Sequence, residues 1–139
     1  MSEESTTPDM VELGRRFVEA VNRRDYDAVM HFYAPDAVWE SMGMAARIEG
    51  AAAIRGFYED FIGAYEEHRS EQEEVLDLGN GVAFSVIVQQ GRLAGSTAHV
   101  RMRSGAVTTW ADGLITHHTN YPDVDEARAA AERLAQERG

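Results

Sequence analysis

Apolar residues recur at helical spacing before Gly79-Asn80-Gly81 and in strand-like runs after it. That change of period restricts the fold more than any other feature. Helices followed by a meander of strands predict an α+β domain rather than an alternating parallel sheet. The predicted strands are Val82–Gln90, roughly Leu93–Arg103, Ala106–Trp110 and, after the Asp112-Gly113 turn signal, Leu114–Tyr121.

The first half reads as three helices around one short strand. Residues 1–7 are small and polar, and are expected to be disordered. Thr7 is placed to cap a helix with Pro8 at its first position, carrying Met10, Leu13, Phe17, Val18 and Val21 on one face. Asn22-Arg23-Arg24-Asp25 ends it and caps a short second helix with Tyr26, Val29, Met30 and Phe32, which Ala34-Pro35-Asp36 should break. Ala37–Ser41 is a short strand and Met42–Glu49 a loop. Gly50 opens a third helix with Ile54, Phe57, Tyr58, Phe61, Ile62 and Tyr65 on a wide apolar face. Glu66–Asp77 is strongly acidic and suggests an exposed edge. Pro122 ends the last strand, and 123–138 reads as a final helix capped by Asp123 or Asp125. One domain over 8–139 is expected, with that last helix covering a surface or a pocket mouth.

Charge and composition narrow the partners. The 139 residues carry a formal net charge of −11, which disfavours nucleic acid and anionic membranes because both need clustered cations. A hydrophobic content of 44% is enough to build a core unaided. With no cysteine, disulfides, thiolate metal sites and cysteine nucleophiles are excluded. Met1–Asp9 has no apolar stretch of the export type, and no run approaches the roughly 18 apolar residues of a spanning helix. A cytoplasmic location is therefore expected. No metal motif appears: His117 and His118 are adjacent on a strand and point to opposite faces.

Several short signals stand in a fixed order: Val21-Asn22-Arg23-Arg24-Asp25, Tyr33-Ala34-Pro35-Asp36-Ala37-Val38-Trp39-Glu40, Glu49-Gly50-Ala51-Ala52-Ala53-Ile54-Arg55-Gly56-Phe57-Tyr58, Ala111-Asp112-Gly113-Leu114-Ile115 and Tyr121-Pro122-Asp123. Together they resemble the nuclear transport factor 2-like superfamily and, within it, the SnoaL-like, polyketide-cyclase-like group. The resemblance implies a cone: a curved, mostly antiparallel sheet wrapped around the N-terminal helices, here with an extra C-terminal helix. It implies a pocket for a small apolar molecule, a homodimer paired through the outer sheet face, and no cofactor.

The catalytic sets of that superfamily are missing. The tyrosine of the ketosteroid-isomerase type falls on Phe17, its base carboxylate on Ser41 and its buried acid near Gly105. None of these can move a proton or hold an enolate in that mechanism. Shifting the alignment by one residue would put Glu40 at the base position. The relay of the limonene-epoxide-hydrolase type falls near Val86, Val88 and Asn120, and is absent too.

The remaining candidates come from this chain's own pattern. Alternation puts His117, Thr119 and Tyr121 on one face of the last strand, and the resemblance turns that face toward the cone. His117 would then be the general acid/base, and Tyr121 would orient a carbonyl. A lone histidine without a visible partner is more often structural, so both roles stay open. Trp39, Phe57, Phe61 and Val86 would wall the pocket, with Ser41 and Thr119 as hydrogen-bonding groups. His99, Arg101 and Arg103 alternate along one face, which reads better as solvated than as three buried cations. Three functions are compatible with this pattern: an isomerase, cyclase or dehydratase acting by proton transfer, a non-catalytic binder of an apolar ligand, or a partner-binding module with a filled cone.

Overall fold

The computed structural model describes residues 9–139. The elements run α1 (Met10–Asn22), α2 (Tyr26–Met30), β1 (Tyr33–Ser41), β2 (Ala46–Glu49), α3 (Ala51–Gly63), β3 (Tyr65–Gly79), β4 (Val82–Leu93), β5 (His99–Ala111), β6 (Leu114–Tyr121) and α4 (Val124–Glu137). The six strands form one curved sheet in the order β2-β1-β6-β5-β4-β3. Only β1 and β6 pair in parallel; the other neighbours are antiparallel. This is the predicted α+β cone, with α3 between the β1–β2 hairpin and the long strands and α4 after the sheet.

Local chemistry explains most boundaries. Asp9 caps α1, its carboxylate accepting from the Val11 N–H. The cap predicted at Thr7 and Pro8, and the expected disorder of 1–7, lie outside the described residues. Asp25 caps α2 and Asp123 caps α4, each accepting from main-chain N–H groups of the first turn. Asn80-Gly81 and Asp112-Gly113 all take positive φ, the signature of two-residue hairpin turns, and they join β3 to β4 and β5 to β6.

Five expectations need correction. Tyr65 does not lie on α3, which ends at Gly63; it opens β3. Ala34-Pro35-Asp36 does not break α2; it lies inside β1, at the irregular stretch where the β1–β6 register shifts between Tyr33 and Val38. An irregularity of that kind accommodates Pro35, which has no N–H for a ladder. Met42–Glu49 is not wholly loop, because Ala46–Glu49 forms β2 against Val38–Ser41. The acidic run is the exposed edge predicted, but as a 15-residue strand. Finally, Ala106–Trp110 is not a separate strand: His99–Ala111 is continuous, and the break falls at residues 94–98.

Two apolar clusters lie on opposite faces of the sheet. On the inner face α1, α2 and α3 pack with Trp39, Ala83, Trp110 and Ile115. On the outer face α4 packs with Val82, Phe84, Val86 and Val107. Val82 through Val86 are therefore buried without interruption, and this stretch of β4 shows none of the alternation of a half-exposed strand.

Candidate functional site

Strand register sets up two rows of side chains across the concave face. Trp39 lies beside His118, His118 beside Thr108, and Thr108 beside Ala83. The next row is Ser41, Asn120, Ala106 and Ser85. Directly paired residues share a face, so His118 and Asn120 face inward with Trp39 and Ser41.

This reverses the face expected for β6. Thr109 pairs with His117 and Trp110 with Ile115, which leaves Thr116 as an extra residue. Such a bulge shifts the alternation by one position. Ile115 and His118 then both point inward, and His117 points out. Its Nε2 lies 2.7 Å from Glu40 Oε1, in a half-exposed group where Arg47 also donates to Glu40 and Glu49. The hydrogen bond to His117 holds the Glu40 carboxyl below its ordinary range, against some desolvation and with help from Arg47. Glu40, the base of the shifted alignment, is thus outside the cone.

α1 and α3 roof the concave face and leave a cavity of about 510 Å³. Trp39, Ser41, Phe57 and Phe61 line it, and Tyr121 borders it while also packing on the cluster under α4. His117, Thr119 and Val86 do not line it. Thr119 pairs with Val107 and Val86 with Gly105, both on the α4 side. The residues that sequence reasoning missed are His118, Asn120, Thr108, Ser85 and Tyr58.

The lining has an aromatic wall and a polar floor. The Phe57 ring lies 4.4 Å from that of Trp39, and Phe61 stacks on Phe57 at 5.5 Å. His118 lies parallel to Trp39, with centroids 6.5 Å apart. Thr108 Oγ1 is 3.2 Å from His118 Nδ1. Burial pushes the His118 imidazole down to about 4, against a smaller upward pull from Asn120 and aided by the nearby His117. It is therefore neutral at pH 7, with one ring nitrogen able to donate and one able to accept. Tyr58 shares a 2.9 Å hydrogen bond with Tyr33, and burial raises its hydroxyl to about 12.

Charge is nearly absent from this wall. Among the described residues no carboxylate lines the cavity; Arg103 does, and its guanidinium donates to Glu73. Arg101 also reaches toward Glu73, so the two arginines of the alternating β5 set are exposed and paired with one carboxylate. No group of three or more His, Asp or Glu among the described residues could hold a metal ion. No helix among them is long and apolar enough to cross a membrane.

A family model for the SnoaL-like domain matches residues 14–118. Curated proteins give no match. Among solved structures, a hypothetical protein from Catenulispora acidiphila with a ketosteroid isomerase-like fold, bound to trimethylamine, superposes with a TM-score of 0.72 at 16% identity. That match covers 91% of this chain and 94% of the other. A limonene-epoxide-hydrolase-like (LEH-like) epoxide hydrolase from Mycobacterium tuberculosis gives 0.70 at 19% identity, over 88% and 89%. RV0760c from the same organism, in complex with estradiol-17β-hemisuccinate, gives 0.72 at 19%, over 83% and 94%. At these identities the likeness is one of fold, and the activities of such neighbours differ.

Proposed function

The chain belongs to the SnoaL-like domain family, and on that premise we propose that it binds a neutral, flat, largely apolar molecule bearing a carbonyl or hydroxyl oxygen. The rings lie against Trp39, Phe57 and Phe61, and the oxygen meets His118, Asn120 and Ser41 on the floor. The observation that carries this reading is the near-absence of free charge: no carboxylate among the described lining residues, an Arg103 already paired with Glu73, and a histidine held neutral by burial. An ionic ligand would lose its hydration there without a matching partner. A cavity of about 510 Å³ is of ordinary size for small-molecule sites. The estradiol-17β-hemisuccinate held by RV0760c joins a flat, apolar ring system to a succinate carboxylate, and it is the ring system, not the carboxylate, that resembles the neutral ligand.

One observation favours catalysis as a second reading. A buried neutral imidazole polarises a carbonyl without carrying a charge, and His118 is in that state. His117 is not available for the role expected of it, since it faces away with Glu40. A proton leaving carbon would have to go to water or to a group on the substrate.

Equilibrium dialysis with estradiol as a neutral four-ring probe, followed by mass spectrometry of the recovered ligand, tests both readings. Saturable binding with the probe recovered unchanged supports the binder. Conversion of the probe or of a ring-ketone analogue, lost in His118→Phe, supports catalysis. No saturable binding of either compound refutes both.

A further inference from the structure

The resemblance implies that a second copy of the chain pairs on the outer sheet face. In this chain α4 already lies on it. Val82, Phe84, Val86 and Val107, all 5% exposed or less, form one cluster with Ala127, Ala131 and Ala135 of the helix. The three alanines recur every four residues, so they make one flat stripe along α4. That stripe lets the helix sit unusually close. A Cβ added at Gly105 would fall 2.4 Å from the Ala127 Cβ and 3.3 Å from the Val124 Cα. Glycine is thus the residue that this approach permits on β5.

Polar contacts fix the helix along its length. Arg128 donates to both oxygens of Glu74 on β3 and covers the Phe84 ring at 4.6 Å. At the C-terminal end, Asn80 in the β3–β4 turn donates to the Ala135 carbonyl, and Arg138 donates back to the Asn80 carbonyl. Asp123 caps the other end. Over β1, β2 and β6, the outer face that α4 leaves uncovered carries the charged and polar Glu40–His117–Arg47–Glu49 group.

We infer that α4 takes the place of a partner subunit: it occupies the apolar face of β4 and β5, so the full chain is a monomer and pairing through that face requires α4 to leave. The covering helix is the chain's own, which makes association through this face a competition between an intramolecular and an intermolecular occupant. The intramolecular one is favoured by its high effective concentration.

Sedimentation equilibrium of the full chain over a wide concentration range, with hydrogen exchange on the same sample, tests the inference. The expected result is 15.4 kDa at every concentration, with α4 amides as protected as those of β4. Twice that mass overturns the inference. So does a monomer whose α4 amides exchange freely, because the sheet face would then need no cover. Ala131→Asp places a carboxylate in the cluster, and Ala135→Asp is the milder variant should the first fail to fold. In whichever folds and loses α4 protection, the mass should rise with concentration toward twice the monomer. A mass fixed at 15.4 kDa in that variant overturns the competition.

Discussion

Lowering the pH should destabilise this protein through His118 in particular. Its folded pKa is about 4 against an ordinary 6.5. The unfolded chain therefore binds a proton across that interval that the native state refuses. Stability falls as pH drops through 6.5 and levels off below 4, with no contribution above about 7.5. At pH 5 the unfolded imidazole is almost fully protonated and the native one almost fully neutral. Linkage then gives a loss of up to about 2 kcal/mol, rising to about 3 kcal/mol below pH 4. Water in the cavity would hydrate the ring and reduce both figures. Burial also lowers the His68 pKa, so the wild-type drop alone is not diagnostic. The measurement is urea unfolding of the wild type and of His118→Gln at pH 7.5 and pH 5. The wild type should lose more than the variant by an amount approaching 2 kcal/mol. Equal losses would refute the claim that His118 is held neutral at the cavity floor.

Three further outcomes follow from the same geometry. His117→Ala should leave the affinity for estradiol unchanged within error in equilibrium dialysis, because the side chain points out to Glu40, and should cost at most about 1 kcal/mol of stability in urea unfolding. Gly105→Ala should destabilise by about 1–3 kcal/mol by calorimetry, since its methyl must displace Ala127 or the helix backbone at Val124. Tyr33→Phe should cost about 1–2 kcal/mol in urea, because it removes the 2.9 Å partner of the Tyr58 hydroxyl.

The sequence revealed the fold more fully than the site. Asp25, Gly50, Asp112-Gly113 and Asp123 are strong local signals, and the elements they bound appear where they point. Two faces could not be read, for separate reasons. On β6 alternation separates His117 from His118 but does not say which faces in; the resemblance implies His117, and the bulge at Thr116, which neither glycine nor proline announces, sets His118 inward with Ile115 instead. β4 is buried on both faces, because α4 covers the side opposite the cavity. Alternation along this strand groups Val86 with Phe84 and Val88 but does not say which face they take, and it is Ser85 and Ile87 that line the cavity. Trp39 and Ser41 escaped this error because Val38, Trp39 and Glu40 alternate between half-buried and buried positions. The strand at Tyr65–Gly79 was legible as an edge from its charge alone, since its glutamates pair with Arg92, Arg103 and Arg128 on neighbouring elements.

Trp39 and Trp110, the chain's two tryptophans, both line the cavity, so the most direct test of the binding claim is a tryptophan fluorescence titration with estradiol. Wild type should be compared with Ser85→Phe, whose added ring would occupy the space over the floor. The account predicts a saturable one-site change in the wild type that is lost in a folded Ser85→Phe protein. No saturable change, or the same change in both proteins, would contradict it.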